Sequence, residues 1–329
     1  MSQILSANTE IPNIIRGPNI GIKGEIRAIL RNPDGSIAQD NGWQPNRILN
    51  QGLTRMGDTA SWGSNGNVGS SSAAIVDTQT GCQSYLGNTF GSTFIERTDP
   101  AVAPNYEAYH IARWRFNAGV ATGTIREFGI GTSTNNSCST RVLVSPAMTK
   151  SASQVLDIYY KMTMYPDLAT YTGTIDIVED GVAVPYNVIS RGQVYHQGSK
   201  TIFNVIMGAL SGGGSPRFMD GNLGAGLTGY PSGTTAGGYP NYLTYGYIGA
   251  SPYGTVTRVG DTAYKDVYLA ANLDTGNISS GLGIRSAFMD FDIGYAWGVQ
   301  YNRVSDDGRI QKNNTRIIQL NFRHSWTRL

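Results

Sequence analysis

The acidic pairs are the residues with the most direct claim to chemistry. Asp290 and Asp292 alternate with Phe291 and Ile293 in FMDFDIGY, a spacing that puts both carboxylates on one face of a strand. Two carboxylates so placed would serve as an acid/base pair or hold a hard cation. No third carboxylate or basic partner has an address in the sequence, and a solvated strand face is the expectation. Glu179-Asp180-Gly181 and Asp306-Asp307-Gly308 look like fragments of a calcium loop. Neither continues with EF-hand ligand spacing, and Asp-Gly is itself a hairpin-turn signal. Three histidines (His110, His196, His324) and two cysteines (Cys82, Cys138) are too scattered for a metal site or a Cys-His couple. One bridge between the two cysteines stays open. Gly212-Gly213-Gly214 and the Gly-rich run 221–238 lack the Lys that closes a phosphate loop. No catalytic residue, metal ligand or cofactor is therefore expected.

Aromatic residues carry the stronger signal. Tyr230, Tyr239, Tyr242, Tyr245, Tyr247 and Tyr253 are interleaved with Gly, Pro, Ser and Asn, a composition of rigid amphipathic rings on adaptable backbone that suits binding loops. They would stack on sugars, anchor in a neighbouring subunit, or fill the rim of a β core. Ile14 and Ile15 join them as candidate interface residues, because residues 1–22 bring apolar side chains without a local core.

The elements that would position these groups are strands. The 329 residues include 42 Gly and 13 Pro, an excess of backbone punctuation that favours many short strands joined by turns. Hydrophobic residues make up 40% and charged residues 15%, so the chain can bury a core, and the length suits two domains. A net charge of +2 removes the electrostatic case for nucleic acid or an anionic membrane as partner. The opening MSQILSANTEIPNIIRG shows no basic stretch followed by an apolar one, so no secretory signal is expected, and no apolar run approaches a spanning helix.

Along the chain, Asn32-Pro33-Asp34-Gly35 predicts a hairpin over 24–38. Ile48, Leu49, Leu53 and Met56 predict a short helix ended by Gly57, and 59–94 looks like a long surface loop. In VLDIYYKMTMY, Leu156, Ile158, Tyr160, Met162 and Met164 share one strand face. The order then repeats. A hairpin is expected over 173–188, a helix over 200–210, a Gly/Tyr/Pro loop over 211–242, and an alternating strand over 316–326 with Ile318, Leu320, Phe322 and His324 on one face. Tyr85-Leu86-Gly87-Asn88-Thr89 echoes Tyr247-Ile248-Gly249-Ala250-Ser251 at the same offset as Asp99-Pro100-Ala101 and Asp261-Thr262-Ala263. An internal duplication follows as an expectation, with its boundary near 166–172 and each terminal strand pairing inside its own half.

YGYIGASPYGTVTRVGDTAYKDV, with FNAGVATGTIREFGIGTS and TRVLVSPAMTKSASQVLDIYYKMTM, resembles the turn-and-strand pattern of tailed-bacteriophage virion structural proteins. The resemblance extends to tail, collar and fibre-adaptor β-sandwich modules. It implies a mainly β chain of two tandem jelly-roll-like β-sandwich modules, each with one short helix and long Gly-rich loops. An extended N-terminal arm (1–22) would precede a first module (23–166) and a second (172–329). The implied role is a non-enzymatic structural component of the virion, assembled in the host cytoplasm as a symmetric homo-oligomer. Its partners would be itself, other virion proteins and a host-surface glycan. The rival reading is a carbohydrate- or receptor-binding protein using the Tyr-rich loops. An outer-membrane β-barrel is disfavoured by charged residues on strands that would face lipid.

Overall fold

A computed structural model describes residues 3–6, 15–57, 62–97, 107–134, 137–165, 167–179, 181–194, 215–219, 249–252, 255–271, 284–290, 295–306, 308–311 and 316–329. The chain is mainly β, with curled sheets and one helix among the described residues. After a short strand β1 (Gln3–Ser6), the expected hairpin forms from β2 (Ile15–Arg31) and β3 (Ile37–Ile48). Gly35 closes the turn at φ +85°, donating its N–H to the Asn32 carbonyl at 2.9 Å. The helix α1 (Asn50–Met56) starts just after Ile48 ends β3, and buries Leu53 and Met56. Then follow β4 (Asn65–Gly69), β5 (Tyr85–Phe90), β6 (Thr93–Arg97), β7 (Ala108–Phe116), β8 (Gly123–Gly131), β9 (Thr140–Lys150) and β10 (Val155–Tyr165).

These strands pair in the order β6-β7-β10-β2-β3-β9-β8-β4-β5, and the row curls until its ends approach. Thr89 Oγ1 on β5 donates to the Arg115 carbonyl on β7 at 2.9 Å. Inside lie Leu156, Ile158, Tyr160, Met162 and Met164, the face that the period of two selects, together with Trp114, Phe116, Phe128 and Ile130. Trp114 and Phe128 meet across the layers at 6.3 Å between ring centroids. Burying such a side chain contributes about 1.5–3 kcal/mol. The expected loop 59–94 thus holds two strands, β4 and β5, and the start of a third, β6. β4, with the sequence NGNVG, is buried throughout but offers almost no side chains to alternate, so periodicity cannot reveal it. Gly66 is required there, since a Cβ would stand 2.9 Å from the Trp114 ring.

In the second half, β11 (Thr170–Glu179) and β12 (Val182–Val194) form the second hairpin, turned by Gly181 at φ +83°. It is followed by β13 (Ser215–Met219), β14 (Gly249–Pro252), β15 (Thr257–Val259), β16 (Thr262–Ala271), β17 (Ser286–Asp290), β18 (Tyr295–Arg303) and β19 (Arg316–Arg328). One sheet runs β11-β12-β18-β17-β13, burying Ile175, Ile177, Tyr186, Val299 and Tyr301. β13 interrupts the loop expected over 211–242, and the helix expected over 200–210 lies outside the described residues.

β19 departs from the expected scheme. It pairs antiparallel with β16 and, on its other side, parallel with the first part of β2, Phe322 facing Ile15 and Arg328 facing Ile22. β10 instead lies antiparallel to the later part of β2. The terminal strands of the two halves therefore do not have equivalent neighbours. The arm boundary expected at residue 22 falls inside a strand whose Ile15, Ile20 and Ile22 are buried. Gly17 and Pro18 form a bulge in this strand: the register jumps from Arg16–Arg323 to Asn19–Ser325, setting two residues against His324 alone. Bulges are among the few places a sheet accepts proline. A box of Arg47, Asp77, Asp261 and Arg328 fastens the end of β19 to β3. Arg47 and Arg328 reach Asp77 at 2.7 and 2.6 Å, and both also reach Asp261.

Candidate binding face

Alternation along β10 puts its odd-numbered residues on the outer surface, and the pairing register sets theirs beside those of β7, β2 and β3. One row reads Thr93, Arg113, Tyr159, Arg27, Trp43 and the next Arg115, Asp157, Ile29, Asp40. Cross-strand neighbours of this kind have Cβ atoms ~5 Å apart, so the rows are contiguous in space. Four arginines (Arg27, Arg31, Arg113, Arg115) thus share one end of the face with two aspartates.

Asp157 is the centre of that end. Its fully buried carboxylate takes a two-point hydrogen bond from Arg115, at 2.7 and 2.8 Å, and a third from Arg31 at 3.1 Å. Burial alone would raise the carboxyl's pKa, but the Arg115 and Arg31 hydrogen bonds outweigh it and hold the group below the usual carboxylate range. Arg113 arrives third. Its Nε lies 3.9 Å from the carboxylate, too far for a hydrogen bond, and is buried without a hydrogen-bond partner. Arg27 is occupied by Asp40 at 3.0 Å, which raises the Arg27 pKa and lowers that of Asp40. The corner therefore carries positive charge in excess, with one guanidinium edge uncommitted. Trp43, 41% exposed, flanks it, and Lys161 sits 4.4 Å over the Tyr109 ring on the same face. Chemically, such a corner accepts a planar anionic group and offers a ring for stacking.

The residues singled out in the sequence fare differently. Ile15 is buried within the chain opposite Phe322 rather than displayed. Ile14, Tyr230, Tyr239, Tyr242, Tyr245, Tyr247 and Tyr253 lie outside the described residues, as does Asp292; of the Asp290 side chain nothing is described. Asp180 and Asp307 lie outside the described residues, while the glycine that follows each is described, Gly181 at φ +83° in the β11–β12 turn. Asp306 Oδ1 accepts from the Gly308 N–H at 2.8 Å, and Glu179 is held by Arg303 at 2.9 Å and by the Tyr186 hydroxyl. Among the described residues no three His, Cys, Asp or Glu side chains cluster as metal ligands.

Glu127 and Arg141 were missed by the sequence reading. They form a fully buried ion pair at 2.7 Å between β8 and β9. Glu127 also accepts from the backbone N–H of Gln83 and Ser84 at 3.0 and 2.9 Å, and Arg141 donates to the Ala73 and Ala74 carbonyls and to Gln79. The pair pins the stretch 70–84 to the sheet. Each partner is satisfied by the other and by backbone, which is the structural use of buried charge. Comparison with protein families, curated proteins and solved structures finds no match to the chain.

Proposed function

We propose that the protein is a non-enzymatic structural component of a tailed-phage virion, at the neck or collar, the tail, or the baseplate and fibre attachment. In this reading two tandem jelly-roll-like β-sandwich modules assemble as a symmetric homo-oligomer. The observation that carries it is the edge formed by β5 and β6. β6 pairs only with β7 among the described strands, and β5 only with β4. The end of β5 and the start of β6 expose Phe90 (78%), Phe94 (50%) and Ile95 (41%). A free strand edge with large exposed apolar groups invites pairing with another chain, and symmetric self-association is the common solution. The engagement of Glu127, Asp157 and Glu179 by arginines supports a scaffold rather than a reaction centre. Negative-stain imaging of the purified protein tests the reading: closed rings or trimers are expected, and single separate particles at micromolar concentration would overturn it. Antibody labelling of intact phage particles tests the location.

The Arg113 corner favours a second reading, a receptor-binding protein for a host-surface glycan. An excess of guanidinium on a face that also carries an exposed indole suits an acidic polysaccharide, one sugar's carboxylate resting at Arg113 while Trp43, three strands away, stacks on another ring of the same chain. Binding to a uronic-acid polysaccharide that is lost in Arg113→Ala would support it. Equal binding by both proteins would contradict it.

A further inference from the structure

The two cysteines, 56 positions apart in sequence, are brought together by the fold. Cys138, in the β8–β9 connection, donates its backbone N–H to the Thr80 carbonyl at 2.7 Å, which lays 138 alongside the segment that contains Cys82. Asn67 on β4 spans both sulfurs. Its carbonyl accepts from Cys82 Sγ at 3.6 Å, and its side-chain Nδ2 lies 3.8 Å from Cys138 Sγ. Both thiols are buried and unoxidised. Both sulfurs thus lie within reach of one residue, Asn67.

We propose that Cys82 and Cys138 are a redox pair, closing to an intramolecular disulfide that locks the stretch 70–84 onto the β8–β9 hairpin.

The pair is asymmetric. The neighbouring Cys82 lowers the pKa of Cys138, an effect opposed by burial and assisted by the nearby Arg55 guanidinium, while Cys138 and burial raise that of Cys82. Arg55 is fixed in place by its hydrogen bonds to the Ser137 carbonyl and to Ser139 Oγ. Arg55, anchored on the residues to either side of Cys138, favours a thiolate there, which makes Cys138 the attacking sulfur and Cys82 the resolving one. With a hydroperoxide as oxidant, the Cys138 thiolate attacks one peroxide oxygen. The O–O bond breaks, and the leaving hydroxide takes up the proton that the thiol gave, forming water and a Cys138 sulfenic acid. Cys82 then attacks that sulfur, its S–H proton goes to the departing hydroxide, and a second water leaves. Two thiols lose two electrons in all, and one hydrogen peroxide becomes two waters.

The second link is mechanical. The stretch 70–84 is already held by Glu127 and Arg141, so the disulfide would add a covalent tie to a segment that is in place rather than draw in a loose one. Oxidation should raise the thermal midpoint, by roughly 5 °C for a bridge of ordinary strength in a chain this long. The proposal does not depend on the virion reading, because it concerns one chain only.

The test treats the full, reduced chain with hydrogen peroxide. It follows free thiols under denaturing conditions, maps proteolytic peptides without reductant, and records the thermal midpoint before and after dithiothreitol. Expected are the loss of both thiols together, a linked peptide joining Cys82 to Cys138, and a rise in midpoint that reductant reverses. Cys82→Ser should trap Cys138 as a sulfenic acid faster than Cys138→Ser traps Cys82, and neither variant should show the rise. The proposal is overturned if both thiols persist at an excess of peroxide, if they oxidise separately without the linked peptide, or if the linked protein melts no higher than the reduced one.

Discussion

Glu127 and His324 show what single buried groups do in this chain. Glu127 compensates a guanidinium with no access to water, so Glu127→Gln leaves Arg141 charged and unpaired in the interior. Breaking a buried pair from one side costs about 3–5 kcal/mol, and urea unfolding should show a loss of that size. A loss under about 1 kcal/mol would mean that the stretch 70–84 is held by its backbone alone. His324 is fully buried opposite the β2 bulge, and desolvation, opposed by Asp266, lowers its pKa to about 4. An unfolded chain takes up that proton near pH 6.5, a folded one only near 4. The stability this group holds is complete above pH 6.5, declines as pH falls between 6.5 and 4, and changes no further below it; the total is about 3 kcal/mol. His324→Phe should lack that slope whatever its absolute stability. A slope unchanged in the variant would assign the effect to other groups.

At the scale of elements, β2 is the strand on which the rest depend. Its later part pairs with β10 and β3 and its first part with β19, so one strand joins strands from both halves of the chain in a single sheet. Removing residues 1–14 should leave a cooperative thermal transition. Extending the deletion through 22 removes the buried Ile15, Ile20 and Ile22 along with the parallel partner of β19, and should abolish that transition or lower it sharply. Ile20→Ala alone should cost about 2–5 kcal/mol by calorimetry or urea unfolding. A deletion through 22 that melts like the parent would return this segment to the status of an arm. The two hairpins and the apolar face of β10 were legible because turn chemistry and a period of two are local signals. The course of β2 was not, because Pro18 and Gly17 interrupt the pattern at a bulge that only the partner strand explains. The Arg113 corner was invisible for a related reason. Arg31, Arg113, Arg115 and Asp157 come from three strands, and only register brings them together. Glu127 and Arg141 likewise sit in unremarkable stretches, and nothing in either marks it as one half of a pair.

For the whole molecule, the account rests on self-association through the β5–β6 edge. Phe90 and Phe94 stand exposed beside strands that are unpaired on one side among the described strands, and in an assembly such groups would form the buried centre of an interface. The direct measurement is the mass in solution by light scattering, made on the parent chain and on a Phe90→Lys/Phe94→Lys variant whose thermal transition is first shown to be intact. The account predicts a parent mass at a whole multiple, two or greater, of 35.4 kDa and a variant mass of 35.4 kDa. A parent chain that remains at 35.4 kDa across micromolar concentrations, or a variant that assembles as the parent does, would contradict it.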